Sequence, residues 1–168
     1  MGCHGPANHT DDVTNAKTGS PGLHVRALQA TMHWGDNAYI WLYRLLGGRW
    51  VSKWTAGTPA ILLTTTGRKS GRPRTVALGH LRIEETLVVA GTNGGRERVP
   101  DWVRNLHADP RCRVETGREK YAAVASFLDG GEYQNHWERL VAEHPIYQTA
   151  HDMLERPVPL VVLHPAKE

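Results

Sequence analysis

The order of apolar and polar residues predicts six β-strands between residues 60 and 163. Each apolar run is short, is rich in Val, Leu, Ala or Thr, and is bounded by turn-forming residues, as strands with a buried face are. The short connections between most of them favour antiparallel pairing. The predicted strands are Ala60–Thr65, Thr75–Ile83, Thr86–Gly91, Arg111–Glu115, Lys120–Leu128 and Pro159–Leu163.

A helical period comes before the first strand. The stretch from Leu23 to Leu46 is predicted as a helix that breaks near Gly35 and ends at Gly47. Its second piece has Arg44 on one side and an apolar side opposite, formed by Ala38, Trp41, Leu42 and Leu45. Aromatic residues cluster in this helix and its exit loop: Trp34, Tyr39, Trp41, Tyr43, Trp50 and Trp54. Such a cluster is either core and helix-docking surface or the lining of an apolar substrate entrance, and Trp41 is the candidate substrate contact.

Three further helical segments are predicted among the later strands. Pro100 opens a short helix, Asp101–His107, on which Trp102, Asn105 and Leu106 share a face. Asp129, with Glu132 three residues on, matches a capping box at the start of a longer helix, which Pro145 interrupts. The apolar face of the longer helix consists of Tyr133, Trp137, Leu140 and Val141, and the last segment carries Tyr147, His151 and Leu154.

These elements predict an α+β fold that is mainly antiparallel β. The expected architecture is a small closed or half-closed β-barrel with helices packed outside. A chain of 168 residues fits one domain with its own core. Residues Met1–Gly22 are rich in Gly, Asn, Thr, Asp and Pro, so they are predicted to be a disordered N-terminal tail, and residues 23–168 are predicted to form a single domain.

Composition indicates an ordinary globular protein of the cytoplasm. The net charge is only +3, so any basic cluster matters more than the total. The two cysteines, Cys3 and Cys112, form no Cys-x-x-Cys pair, and no apolar run reaches the roughly 18 residues that span a bilayer. The ten histidines are scattered, and none forms an i, i+4 pair with a carboxylate between, so no metal site is expected.

The segment Gly67–Arg74, called the basic turn below, carries the strongest chemical signal. It places four cations, two glycines and a proline between the first two predicted strands. Glycine lets backbone N–H groups approach a ligand, and Arg and Lys donate charge-assisted hydrogen bonds to phosphate or carboxylate. The order of Lys69, Ser70 and Gly71 does not match a Walker A loop, and the flanking strands differ from its strand-then-helix context. The basic turn is therefore predicted to bind an anion.

Two other segments offer polar groups to a ligand. The loop Thr92–Gly95 presents backbone amides and a hydroxyl to a flat polar molecule. On the short helix, Trp102 is predicted as a core anchor, and Asn105 is either a satisfied buried amide or a ligand contact.

Several of these motifs resemble the deazaflavin-dependent nitroreductase family, the actinobacterial split-barrel reductases that use coenzyme F-420. The resemblance extends from about Ile40 to His164 and leaves out the N-terminal tail. It implies a split β-barrel oxidoreductase that transfers a hydride from the reduced deazaflavin to a quinone, enone or nitroaromatic acceptor. The residues that carry it are Thr64–Gly71, Pro73-Arg74, Gly94-Gly95, Pro100, Trp102, Asn105-Leu106 and Asp109-Pro110.

The resemblance also implies a role for individual residues. The phosphate and polyglutamate tail of the cofactor are assigned to the basic turn, the deazaflavin to the second strand and the loop after the third, and the tail also to the short helix. The implied cofactor contacts are Arg68, Lys69, Ser70, Arg74, Thr75, Val76, Ala77, Leu78, Ala90, Gly91, Thr92, Asn93, Trp102, Asn105 and Tyr147. Thr92 and Tyr147 are the implied catalytic donors, and His144, Tyr147 and Trp41 are the candidate substrate contacts.

Three residues depart from the nitro-reducing pattern. Asn93 stands where those members often carry Lys, and His144 and Ala150 stand where they have tyrosines around the substrate. These changes leave the cofactor prediction in place and predict a wider acceptor pocket. His144 is either a replacement proton donor or a helix-end residue beside Pro145.

Other functions remain open at the level of sequence. The same architecture accommodates a reductase that uses FMN or FAD, or a non-enzymatic protein that binds a flavin, haem or fatty acyl ligand. Nucleic-acid binding is not expected, because the aromatic residues lie in other segments than the cations. The expected partner is a small-molecule electron acceptor, with peripheral membrane association if that acceptor is a quinone.

Overall fold

A computed structural model describes residues 38–45, 59–117 and 119–166. In these residues the chain forms one antiparallel sheet of seven strands and four helical segments. Helix α1 covers residues 38–45. The remaining elements are β1 (Ala60–Thr66), β2 (Pro73–Gly79), β3 (Leu81–Ile83), β4 (Thr86–Ala90), α2 (Asp101–Ala108), β5 (Arg111–Thr116), β6 (Glu119–Phe127), α3 (Gly130–Glu143), α4 (Ile146–Asp152) and β7 (Leu160–Pro165).

The sheet curls because two strands that are consecutive in the chain lie at its opposite edges. The strand order is β2-β1-β5-β6-β7-β4-β3, and only His80 separates β2 from β3. Pairing of β1 with β2 ends at Ala60 and Gly79, and the His80 N–H then donates to the Pro59 carbonyl at 3.1 Å. Two edges joined by one residue bring the ends of the sheet together, so the predicted half-closed barrel is confirmed. The single predicted strand Thr75–Ile83 was wrong, since the chain changes edge at His80.

Alternating residues of β4 separate two hydrophobic cores on opposite faces of the sheet. Leu87 and Val89 belong to an interior core that helix α2 closes with Trp102, Val103 and Leu106. Val88 and Ala90 belong to an outer core between the sheet and helix α3. Trp137 and Leu140 of α3 are buried there, as predicted, and Tyr133 and Val141 pack against them.

The predicted orientation of helix α1 was wrong. Ile40 and Tyr43 face the sheet and pack on Leu62, whereas Trp41 is 64% exposed. The Tyr43 hydroxyl donates to the Ala60 carbonyl at 3.0 Å and accepts from the Gly117 N–H at 3.0 Å. These hydrogen bonds fix the side that carries Tyr43, and the apolar side of the sequence pattern, Ala38, Trp41, Leu42 and Leu45, faces outward.

An ion pair strengthens the same attachment. Arg44 Nε donates to both carboxylate oxygens of the buried Glu115 at 3.1 Å, and Lys120 lies 3.2 Å from the second oxygen. The hydrogen bond from Arg44 is the main cause that lowers the Glu115 pKa. Arg44 is therefore half-exposed, with its guanidinium directed to Glu115 of the sheet.

The short helix was predicted within one residue of its bounds. A capping box was predicted at Asp129. Asp129 is the N-cap of α3, but no side-chain hydrogen bond caps the helix N-terminus, so that part of the prediction was wrong.

The tail Met1–Gly22 and the aromatic residues Trp34, Trp50 and Trp54 lie outside the described residues. Within the described residues, no helix is long and apolar enough to cross a membrane.

Candidate functional site

The basic turn is a tight, hydrogen-bonded connection between β1 and β2. The Gly67 carbonyl accepts from the N–H groups of Ser70 and Gly71 at 3.0 and 2.7 Å, and its own N–H donates to the Arg72 carbonyl at 2.9 Å. Gly71 adopts a φ of +64°, which L side chains rarely adopt, and a Cβ there would meet no atom within 4 Å. The turn thus has a defined shape and open space above its backbone.

Helix α2 holds the basic turn in place through one buried amide. Asn105, 3% exposed, accepts at Oδ1 from the Arg68 backbone N–H at 3.2 Å and from Arg68 Nη1 at 3.3 Å. Its Nδ2 donates to Thr65 Oγ1 at 3.0 Å. Asn105 is therefore a satisfied buried amide, one of its two predicted alternatives, and it connects the end of β1 to the turn.

One carboxylate balances several arginines beside the turn. Asp101 accepts from Arg68 Nη1 at 3.1 Å and from Arg98 Nη2 at 2.8 Å, and Arg104 Nη1 lies 3.9 Å away. Burial raises the Asp101 pKa, but the hydrogen bonds and charges of Arg68 and Arg98 together outweigh it and hold this pKa below its ordinary value. One negative charge among these arginines leaves the surface electropositive.

The exposed cations of the turn add to that surface. Lys69, Arg72 and Arg74 all point to solvent, and within the described part of the chain none of them forms an ion pair. Because their charges are not neutralised by carboxylates, they are available to an anionic ligand.

Strand β2 sends alternate side chains to opposite faces of the sheet. Val76 and Leu78 pack against the interior core, whereas Thr75 lies on the other face, where its Oγ1 hydrogen bonds with Thr64 Oγ1 at 2.8 Å. Ala77 is exposed on that same face. The four consecutive residues implied by the resemblance therefore divide into two that pack inside and two that remain accessible.

The loop after β4 is closely folded. Thr92 is buried, and Asn93 adopts a φ of 53° while its Nδ2 donates to the Arg98 carbonyl at 2.8 Å. The Gly95 N–H donates to the Thr92 carbonyl at 3.1 Å. The side-chain amide of Asn93 therefore forms a hydrogen bond within the loop, and the loop follows directly after Ala90 of the outer core.

Sequence reasoning missed Arg156, which organises this loop. Its Nη2 donates to the carbonyls of Gly91 at 3.0 Å, Thr92 at 3.3 Å and Arg96 at 3.0 Å, and its Nε donates to the backbone carbonyl of Glu97 at 2.7 Å. Arg156 lies far from the loop in the chain, between Glu155 and Pro157, and no local pattern there distinguishes it from a surface arginine.

Tyr147 and His144 lie together where α3 meets α4. Their ring centroids are 6.4 Å apart, and the Tyr147 N–H donates to the His144 carbonyl at 3.1 Å. Burial raises the pKa of the Tyr147 hydroxyl to about 12, so it is a neutral donor at physiological pH. His144 is the C-cap of α3 and is buried.

The structure assembles the predicted site residues into two groups. One group joins the basic turn to Asn105 and Trp102 of α2. The other brings Tyr147 against the outer core that includes Ala90. Trp41 contributes to neither group, since it is exposed on α1.

These residues fit an elongated anionic deazaflavin. The basic turn offers exposed cations and open space at Gly71, which suit phosphate and carboxylate groups. The second group offers the neutral hydroxyl of the half-buried Tyr147 and an apolar core, which suit an uncharged ring system.

Comparison with known proteins gives one consistent result. Residues 37–165 match the model of the family described as F420H(2)-dependent quinone reductase. An F420H(2)-dependent quinone reductase of Mycobacterium tuberculosis is 30% identical over 126 residues, which are 73% of this chain and 84% of that protein.

Solved structures agree with this match. An F420-H2 dependent reductase superposes with a TM-score of 0.59 at 29% identity, over 63% of this chain and 94% of that one. A structure described as a domain-swapped dimer gives a TM-score of 0.60 at 25% identity, over 86% of this chain and 100% of that one.

Proposed function

This chain belongs to the F420H(2)-dependent quinone reductase family, and from that premise we propose that it reduces a quinone with reduced coenzyme F-420. The observation that carries the proposal is the attachment of the basic turn to α2 through Asn105. That attachment fixes a cationic surface that suits a long anionic tail of phosphate and glutamate groups, whereas FMN and FAD carry phosphate groups but no polyglutamate.

Two sets of residues are proposed to hold the cofactor. Lys69, Ser70 and Arg74 bind the phosphate and glutamate groups, with Arg68 positioned by Asn105. Thr75 and Ala77 contact the ring system on the accessible face of β2, and the backbone from Ala90 to Asn93 borders it. Val76, Leu78 and Trp102 support these contacts from the interior core.

The reaction needs a hydride, a proton and a site from which water is excluded. When bound, the reduced deazaflavin supplies the hydride from the carbon that replaces flavin N5. The quinone takes up that hydride and one proton and becomes a hydroquinone. Tyr147 and Thr92 donate hydrogen bonds to the oxygen on which charge develops, and the outer core excludes water from it.

The location of the reaction follows from the acceptor. We propose that the protein acts in the cytoplasm and contacts the membrane surface when its quinone is lipid-soluble. Trp41 and Leu45 on the outward side of α1 are 64% and 63% exposed, so they offer an apolar surface for that contact.

The choice of quinone over nitroaromatic acceptors rests on the smaller or more polar residues near Tyr147. His144 and Ala150 surround the site with less aromatic surface than tyrosines would. Oxidation of reduced coenzyme F-420 by menadione is expected to be faster than oxidation by a bicyclic nitroimidazole, in parallel steady-state assays. A nitroimidazole rate above the menadione rate would contradict this choice of acceptor.

A further inference from the structure

The guanidinium of Arg156 contacts both ends of the loop that follows β4. At the first end it donates to the carbonyls of Gly91 and Thr92, at 3.0 and 3.3 Å. At the second end it donates to the carbonyls of Arg96 and Glu97, at 3.0 and 2.7 Å. The four hydrogen bonds come from one planar group whose donor directions are fixed, so they set the separation of the two ends.

The stretch of chain around that arginine contacts the loop at two further points. The Glu155 N–H donates to Glu97 Oε1 at 2.8 Å. A Cβ built on Gly95 would lie 3.1 Å from Met153 Sδ, so the Met153 side chain packs against the loop. Met153 is also the C-cap of α4, the helix that carries Tyr147. A few consecutive residues therefore connect the loop to that helix.

The hydrogen bonds to Arg156 also determine which way the loop N–H groups point. The described peptide bonds are trans, and in a trans peptide unit the carbonyl and the following N–H point in opposite directions. The carbonyls of Gly91 and Thr92 point to Arg156. The N–H groups in the same peptide units, those of Thr92 and Asn93, therefore point away from it. Within the part of the chain that the structure describes, neither N–H donates a hydrogen bond to the protein, so both are available to a ligand.

We propose that Arg156 is a positioning residue for hydride transfer. This inference rests on the proposed function, in which the backbone from Ala90 to Asn93 borders the deazaflavin. Arg156 holds the loop so that the N–H groups of Thr92 and Asn93 hydrogen bond to polar atoms of the ring system. Because a charged donor polarises the peptide groups that it binds, Arg156 also strengthens those two donors. It acts through the loop and contacts neither the cofactor nor the quinone.

Three variants test this role. Arg156→Gln removes the charge, Arg156→Lys keeps the charge without the planar fork of donors, and Arg139→Gln is the control at an exposed position of α3. With saturating reduced coenzyme F-420, single-turnover oxidation by menadione is expected to slow about 10- to 100-fold in both Arg156 variants, because the ring is held in a less reactive position. The Kd for the oxidised cofactor is expected to rise by no more than about fivefold, since the basic turn still binds its tail. The control is expected to match the wild type.

Hydrogen exchange of the protein without cofactor provides a readout that does not depend on activity. The N–H groups of Gly91 and Gly95 are hydrogen bonded to the carbonyls of Pro159 and Thr92. Both amides are expected to exchange about 10-fold faster or more in the Arg156 variants, whereas the amides of α3 keep their rates. Loop exchange and hydride transfer within about twofold of wild type, or full recovery of both by Arg156→Lys, would overturn the positioning role.

A measurement on the wild-type protein covers the case in which the Arg156 variants do not fold. The Arg156 Nε–H is expected to exchange slowly with water in NMR spectra, because it donates to the Glu97 carbonyl. Its signal is expected to shift when oxidised coenzyme F-420 binds against the loop. A signal that exchanges as fast as those of exposed arginines, or that stays unshifted at saturating cofactor, would overturn the proposal. A wild-type protein that does not reduce menadione with reduced coenzyme F-420 would instead overturn the proposed function, so the two failures are distinguishable.

Discussion

Arg68 and Asn105 are joined by two hydrogen bonds, although 37 positions separate them in the chain. The backbone N–H and Nη1 of Arg68 both donate to Asn105 Oδ1, at 3.2 and 3.3 Å. Since Asn105 also donates to Thr65, one side chain fixes the turn, the end of β1 and helix α2 relative to each other. The position of the cationic surface depends on this single amide.

Replacement of Asn105 should weaken both folding and cofactor binding. Asn105→Leu leaves the Arg68 N–H and the Thr65 hydroxyl without their partner, so the free energy of unfolding is expected to fall by about 1–3 kcal/mol. The Kd for coenzyme F-420 is expected to rise because the turn is no longer held. Urea unfolding and cofactor titration measure the two effects. Asn135→Leu, at an exposed position of α3, is the control, and equal stability of the two variants would contradict the role of Asn105.

The exposed cations of the basic turn should set the salt dependence of cofactor binding. The double variant Lys69→Ala, Arg74→Ala removes two charges that point to solvent, so folding is expected to be unchanged. Each contact with an anionic group contributes about 0.5–1 kcal/mol, and more where it is bidentate. The Kd for coenzyme F-420 at low salt is expected to rise about 5- to 30-fold, with a flatter dependence on salt.

Arg139→Ala is the matched control for that variant, because Arg139 is exposed on α3. Its cofactor Kd and salt dependence should equal those of the wild type. If the double variant also binds coenzyme F-420 with wild-type affinity at low salt, the basic turn does not hold the anionic tail.

The histidine at the strand crossing should make the protein sensitive to acid. The His80 pKa is about 4 in the folded chain and 6.5 in the unfolded reference, so between these values the unfolded chain binds more protons. Stability therefore rises with pH through this window and is lost as pH falls from 6.5 to 4, by roughly 3 kcal/mol in all. His80→Asn is expected to flatten that dependence.

Urea unfolding at a series of pH values between 4 and 7 measures the effect. His136→Asn, a histidine substitution on the surface of α3, is expected to keep the wild-type slope. A His80→Asn variant with the same acid dependence as the wild type would show that His80 is not protonated on unfolding in this range.

The hydroxyl of Tyr147 should act in turnover and not in cofactor binding. Tyr147→Phe removes a donor whose pKa is raised to about 12 by burial, so kcat with menadione is expected to fall about 10- to 100-fold. The Kd for coenzyme F-420 should remain within about twofold of wild type. Tyr133→Phe, which changes another tyrosine packed on the outer core, is the control. A Tyr147→Phe variant with the control's kcat would reduce Tyr147 to a packing residue.

Local patterns predicted most of the fold, because period and turn chemistry are local signals. Helix α2 and the buried face of α3 were correct since Trp102, Trp137 and Leu140 combine helical spacing with large apolar side chains. The buried side of helix α1 was predicted wrongly, because the regular spacing of its apolar residues indicated the side that faces outward in the structure. The hydrogen bonds of Tyr43 to Ala60 and Gly117 are long-range and do not appear in that spacing.

For the candidate site, the sequence indicated the charged residues but not the tertiary contacts that position them. The basic turn is visible as a run of cations between glycines, but its attachment to Asn105 is a tertiary contact. His80 lies inside a β-like run, and only the strand order shows that the chain changes edge there. Arg156 gives no local signal, since the four loop carbonyls to which it donates are about 60 residues away.

Anaerobic single-turnover mixing tests whether the protein transfers a hydride from reduced coenzyme F-420 to a quinone. The protein loaded with reduced coenzyme F-420, with hydrogen or deuterium at the hydride carbon, is mixed with menadione, and the absorbance of the oxidised cofactor is followed. Fast oxidation is expected, with one hydroquinone formed per cofactor and a slower rate with deuterium, because a hydride is transferred in the site. Oxidation no faster than in a mixture without the protein would contradict this expectation.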